Sequence, residues 1–172
     1  MSQNFTHLHL HTSFSLLDGF GVPSLYAARA VELAFESIAI TDHGNIDGAI
    51  KFQTECEKVG IRPIFGCEFY IVKDHKVKEK GEKRGHVTVL AKSRTGWENI
   101  LKMVTLSYLD GFYYRPRISP EVLLNNREDL IIMSACTASF LNFDFGIDLF
   151  HELKGEDFYL EVMPHGFDEQ LV

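Results

Sequence analysis

The sequence predicts an α/β domain built on a largely parallel sheet, and three observations lead there. Short apolar runs alternate with amphipathic stretches along nearly the whole chain, starting β-α-β-α-β. A chain of 172 residues buries roughly 70% of its unfolded surface in one core, so a single domain over 1–172 suffices. The third observation is the place of the polar residues. His9, His11, His43, Glu68, His86 and Cys136 all lie in or just after predicted strands, which favours a barrel with converging strand ends over an open doubly wound sheet.

Residues 5–11 alternate in polarity and read as the first strand. "VPSLYAARAVELAF" follows as an amphipathic helix with Pro23 in its first turn, where a missing N–H costs nothing. "SIAIT" is a short apolar strand, "IDGAIKFQTECEKVG" a helix stopped by Gly60, and "RPIFGCEFYIV" a strand. Residues 73–85, "KDHKVKEKGEKRG", are too charged and too poor in apolar side chains to be anything but a solvated loop. Beyond it the pattern predicts the strand "HVTVLA", the helix "TGWENILKMVTLSYL", the loop "DGFYYRPRIS" and a short helix from Ser119-Pro120. The strands "LIIMSA" and "FYLEV" complete the series.

With 45% hydrophobic residues the composition is that of a folded globular protein. A formal net charge of −7 argues against a free-standing nucleic-acid binder, since phosphate affinity comes mainly from clustered Lys and Arg. Any DNA contact is therefore local or supplied by a partner. Three widely spaced cysteines, with no signal peptide or long apolar run, place the protein in a reducing cytoplasm with no membrane association.

In a strand, residues i, i+2 and i+4 face one side, so His7, His9 and His11 project together and at least two ring nitrogens can reach one metal ion. Burying several imidazoles without metal or partners would leave polar groups unsatisfied. "ITDHGN" sets His43 just past an apolar strand; the plainer reading is a capping turn in which Asp42 or Asn45 takes backbone N–H groups. Glu68 in "FGCEFYIV" is either a coordinated or paired carboxylate, or a strand-edge residue facing water. His86 and Cys136 stand at strand ends, and Cys136 alone would pass for a small buried hydrophobe. Imidazole, carboxylate and thiolate donors together suit zinc, manganese or iron rather than magnesium or calcium. Such ions in a cluster suit phosphoester hydrolysis.

"HLHLHTSFSLLDG", "TDHG" and "GCEFY" resemble, in order, the motifs of the polymerase and histidinol phosphatase (PHP) family. With "HVTVLAK", "DGFYYRPRIS" and "FYLEVMPHGFDEQ", the chain is most similar to the PHP domains at the amino terminus of bacterial replicative polymerase alpha subunits (DNA polymerase III). The resemblance implies a distorted (β/α)7 barrel holding up to three divalent transition-metal ions (Zn, Mn or Fe). It implies His9, His11 and Glu68 as ligands of the first, a bridging Glu68 with His86 and Cys136 at the second, and Asp18 with His43 at the third. No residues beyond this metal cluster are expected to be catalytic.

The family's closing Asp-x-His pair does not occur after Cys136, and His165 in "MPHGFDEQ" is not that motif. The barrel is therefore expected to be incomplete at its C-terminal end, as in a piece of a longer chain. The polymerase carboxylates are not in this chain. The resemblance implies a metal-dependent phosphoesterase or 3′ to 5′ proofreading exonuclease, acting on a DNA 3′ end through the full polymerase and contacting the rest of the alpha subunit and other replisome subunits. Two alternatives stay open: a catalytically silent, metal-stabilised scaffold in the replisome, and a stand-alone phosphoesterase of the histidinol phosphatase kind. In "GFYYRPRIS", Tyr113, Tyr114, Arg115 and Arg117 would stack a base and grip a phosphate, or else form an ordinary solvated surface.

Overall fold

A computed structural model of the chain describes residues 5–155 and 157–163. After an extended segment at residues 5–12 come α1 (Pro23–Glu32), β1 (Ser37–Ile40), α2 (Ala49–Val59), β2 (Arg62–Ile71) and β3 (Gly85–Ala91). They are followed by α3 (Arg94–Leu109), β4 (Arg117–Ile118), α4 (Pro120–Asn125), β5 (Leu130–Met133), a 3-10 turn (Phe140–Asn142), α5 (Asp144–Leu153) and β6 (Phe158–Tyr159).

Local chemistry sets most of these limits. Pro23 opens α1, and Pro23, Ala27 and Ala30 form its buried face at helical spacing. Gly60 ends α2 in the left-handed conformation, φ 77°, while the Ile61 N–H closes on the Cys56 carbonyl. A Cβ at Gly60 would meet nothing within 4 Å, so the backbone angle is what requires glycine there. Ser93 caps α3 by accepting from the Gly96 N–H.

The sheet runs β1-β2-β3-β5-β6, with β4 on β2 as well. It is mixed and does not close, where the alternation of elements predicts a largely parallel sheet. β2 with β3 and β3 with β5 are antiparallel, whereas β1 with β2, β2 with β4 and β5 with β6 are parallel. The cause is the segment between β2 and β3, which contains no helix. A direct return gives an antiparallel neighbour, and only a crossover gives a parallel one. The opening histidine segment is likewise not a full strand. It touches β1 through one bridge, His7 to Ile38, with the Ala39 N–H on the His7 carbonyl and the Thr41 N–H on that of Leu10.

Period-two alternation divides β2 and β3 between core and site. Cys67, Phe69 and Ile71 of β2, with Val87 and Val89 of β3, pack under Ile100 and Met103 of α3 and against Leu130, Ile132, Phe140 and Leu149. The residues between them, Glu68, Tyr70, His86 and Thr88, face the other way, in the register Glu68 to Thr88 and Tyr70 to His86. A second core joins α1 and α2 to β1 through Ala27, Ala30, Ile38, Ile40, Phe52 and Cys56. α5 is a helix that the sequence pattern leaves unassigned; it buries Gly146, Leu149 and Leu153 on one face.

Gly66 sits where β2 leaves β1 and takes up β3. A Cβ there would lie 2.3 Å from the Val89 carbonyl oxygen and 2.6 Å from Leu90 Cδ2. Gly66→Ala is expected to lower stability by about 1–3 kcal/mol, measured by urea denaturation.

Residues 73–84 are irregular, as their composition predicts, with Gly85 already in β3, yet the segment is not free in solvent. The guanidinium of Arg117, 2% exposed, donates to the carbonyls of Gly111, His75 and Val77 and pairs with Glu82. His75 is buried beside it and shares a hydrogen bond with Ser119 Oγ. None of the helices described is long and apolar enough to cross a membrane.

Candidate metal centre

Glu68 is fully buried and occupies the middle of the site. Its Oε2 lies 2.9 Å from His43 Nδ1, 3.0 Å from His11 Nε2 and 3.3 Å from His9 Nε2. Its Oε1 lies 3.1 Å from His86 Nδ1. His9 Nε2 and His11 Nε2 are 3.2 Å apart. The next layer adds Asp18, whose Oδ2 is 3.3 Å from His43 Nε2, and Cys136, whose Sγ is 3.8 Å from His86 Nδ1.

The candidate ligands are brought in by several local devices. His9 and His11 alternate on the opening segment, which Thr41 holds by accepting from the Leu10 N–H at 2.8 Å. Glu68 and His86 come from the site-facing side of the β2–β3 pair. His43 bridges to Glu68 past the end of β1. Beside it, the buried Asp42 carboxylate accepts from the Thr12 N–H, Thr12 Oγ1 and Ser15 Oγ, at 2.6–2.8 Å. Ser15 Oγ in turn accepts from the His43 N–H at 3.0 Å. Asp42 thus ties the segment after His11 to the His43 turn, while Asn45 makes a local turn bond to the Asp47 N–H. Asp18 and Cys136 each follow a non-glycine residue with positive φ, Leu17 (67°) and Ala135 (61°). Such backbone is strained and recurs at functional sites.

Three groups of donor atoms converge within 4.8 Å of one another: His9 with His11 and Glu68, His11 with Asp18 and His43, and His43 with Glu68 and His86. Cys136 neighbours His86 but belongs to none of the three. His7 is exposed and does not join the cluster, because a segment bridged at a single point bends away from the alternation of a true strand. Arg117, a candidate phosphate grip, is instead buried among carbonyls. His165 lies outside the described residues. Glu161 is a site residue that sequence motifs do not reveal: its Oε1 is 2.9 Å from His9 Nδ1. Its one signal was an acid within the apolar run "FYLEV".

The cluster fits a metal on its own geometry. The Oε2 of Glu68 and the Nδ1 of His43 are 2.9 Å apart, yet neither is aligned for a hydrogen bond with any partner, and His11 Nδ1 is also buried and unpaired. Donor atoms bound to one ion at about 2.0–2.2 Å stand about 2.9–3.4 Å from each other, the spacing found here. Electrostatics agree. Burial alone would raise the Glu68 carboxyl, but His11, His43, His86 and His9 outweigh it and hold the group well below the usual carboxylate range. Burial opposes charge on His9 as well, yet Glu161 and Glu68 push it up to about 10; His86, against the same opposition, is raised to about 9 by Cys136 and Glu68. The site demands positive charge, which a divalent cation meets with the imidazoles neutral.

A cavity of about 390 Å³ opens beside His43, His86 and Asp18, walled by Tyr70, Phe112, Tyr114 and Arg115. A larger cavity, about 780 Å³, lies at the other end of β2 against Phe65, Trp97 and Ile50. Among the described residues, the three groups of candidate ligands lie at the smaller cavity and none lies at this one.

The family model of the PHP domain matches residues 7–165. The DNA polymerase III subunit alpha of Helicobacter pylori is 40% identical over 187 residues, covering 96% of this chain and 15% of that protein. The protein of the same name from Borreliella burgdorferi is 41% identical over 180 residues, covering 96% and 16%. The chain thus spans about 15% of the length of the curated relatives it matches. Among solved structures, one from Bifidobacterium adolescentis, provisionally described as a metal-dependent phosphoesterase, is 25% identical with a TM-score of 0.46, over 60% of this chain and 33% of that one.

Proposed function

The chain belongs to the PHP domain family, and from that premise we propose a metal-dependent phosphoesterase domain, with 3′ to 5′ exonuclease chemistry, working within a bacterial DNA polymerase III alpha subunit. The observation that carries this reading is the convergence of four imidazoles on the buried Glu68 carboxylate, with polar atoms left unpaired between them. Polymerase relatives that are far longer than this chain support the setting. In that setting the domain works in the cytoplasm, on DNA 3′ ends, beside the rest of the alpha subunit and other replisome subunits. The strands described here would be part of a distorted seven-stranded barrel of the PHP type.

His9, His11 and Glu68 would hold one ion, Glu68 with His86 and Cys136 a second, and Asp18 with His43 a third, with His11 also within reach of that last pair. Zinc, manganese and iron suit this donor set. Such an ion, when bound, lowers the pKa of water and steadies charge on phosphoryl oxygens. The protein's part is to orient. Glu161 accepts from His9 Nδ1–H, which fixes that tautomer and turns Nε2 to the cluster. Thr88 Oγ1, 3.3 Å from the same nitrogen, limits the ring's rotation.

The test is hydrolysis of a 3′-labelled single-stranded oligonucleotide. EDTA is expected to abolish it, and zinc or manganese to restore it. Metal-replete protein that binds its ions but releases no nucleotide would favour the silent scaffold. Metal also makes a stability prediction. At a free concentration about 100 times Kd, zinc or manganese is expected to stabilise the chelated protein by about 2.7 kcal/mol. In a thermal melt this is a rise of about 5–10 °C.

A further inference from the structure

Resting on the phosphoesterase reading, the geometry points to a nucleotide subsite beside the cluster, in which Arg84 and Arg115 hold the phosphate and Tyr114 with Phe112 receives the base. The subsite is organised around Tyr70. Its ring lies 5.5 Å from that of His43, nearly parallel, and 5.1 Å edge-on from that of His86. The guanidinium carbons of Arg84 and Arg115 stand 5.5 and 5.9 Å from the same ring centroid. Two cations are therefore collected on one aromatic ring that itself abuts two ligands of the cluster.

Among the described residues neither guanidinium has a carboxylate within 4.0 Å, in common with Arg62 and in contrast to Arg29, Arg94 and Arg117. What sets these two apart is their place, together on the ring that abuts His43 and His86. Beside a centre built for divalent ions they repel its charge, and the repulsion is relieved when an anion lies between. A phosphate does this best, because the planar guanidinium matches two of its oxygens at once.

The outer wall of the cavity selects what the phosphate carries. Phe112 and Tyr114 line it together with Leu16 and Leu17, and all four side chains are exposed, Leu17 completely. Tyr114 and Leu17 are both held at positive φ, 59° and 67°, which keeps their side chains turned as they are against local preference. An inorganic phosphate or a small sugar phosphate would engage the arginines and leave this apolar rim unused. A flat base stacked on it uses both halves.

Binding, not turnover, tests the inference. Thymidine monophosphate, a short single-stranded oligothymidylate and inorganic phosphate are titrated into the metal-replete protein. Arg84→Ala with Arg115→Ala is expected to weaken all three at least about tenfold. Tyr114→Ala is expected to weaken the monophosphate and the oligonucleotide by about five- to tenfold and leave inorganic phosphate unchanged. Metal content and melting temperature are expected to stay at their original values in both variants. Tighter binding of the oligonucleotide than of the monophosphate identifies a strand end as the source of the nucleotide; the reverse identifies the free nucleotide.

Unchanged binding in the double variant overturns the inference, as do loss of metal from it, failure of the unaltered protein to bind any probe, or an effect of Tyr114→Ala on phosphate alone. A protein that shows the expected binding losses but cleaves nothing keeps the subsite and overturns only the phosphoesterase reading.

Discussion

Glu68→Gln is expected to cut metal affinity by at least about 100-fold, because it removes the one anionic group that all four clustered imidazoles face. The amide is nearly isosteric, so Phe69 and Cys67 on either side are undisturbed. What changes is chemistry: one oxygen becomes an N–H donor, and no negative charge balances a cation at the centre. Glu68→Asp keeps the charge but draws the carboxylate back toward the β2 backbone, away from His11 and His43, and an intermediate loss is expected. Elemental analysis together with competition against a chelator of known affinity reads both variants. A Glu68→Gln protein with unaltered metal content and affinity would remove Glu68 from the centre of the proposal.

Arg117→Ala is expected to be the most damaging substitution for folding, at about 3–5 kcal/mol. The guanidinium is 2% exposed, and deleting it leaves the carbonyls of Gly111, His75 and Val77 without their donor and Glu82 without its counter-charge. Arg117→Met fills much of the volume and satisfies none of these groups, so its cost is expected to remain near that of alanine. Guanidinium denaturation measures the loss. Trypsin reports its location, since Lys78, Lys80 and Lys83 lie on the segment that Arg117 pins and cleavage there is expected to accelerate. A loss below about 1 kcal/mol would mean that the segment holds itself in place.

Much of the site was legible because a strand shows its period in the residues. Alternation marked His9 and His11, and an acid in the apolar run "FGCEFYIV" marked Glu68. Their places at predicted strand ends marked His43 and His86, the family resemblance added Asp18, and the structure gathers all six. Three things were not legible. The antiparallel turn from β2 to β3 depends on a connection whose composition says loop but not direction. Glu161 meets His9 across 152 positions of sequence, and no local pattern encodes such a contact. Arg117 in "YYRPRIS" has the sequence context of Arg115, but one guanidinium is buried and the other exposed. A local turn at Tyr113 to Arg115, with Tyr114 at positive φ, separates them, and only Arg117 then meets the distant carbonyls of His75 and Val77. His7 was over-read for a related reason: the period holds only as far as a ladder extends, and here the ladder is a single bridge.

The contact between His9 and Glu161 joins the two outermost members of the curled sheet, the histidine segment and the stretch following β6. Among the described residues no main-chain hydrogen bond links them, so this seam is a clasp of side chains. A seam of that kind opens more readily than a zippered edge, and the first breathing of the protein is expected here, governed by whatever His9 is holding.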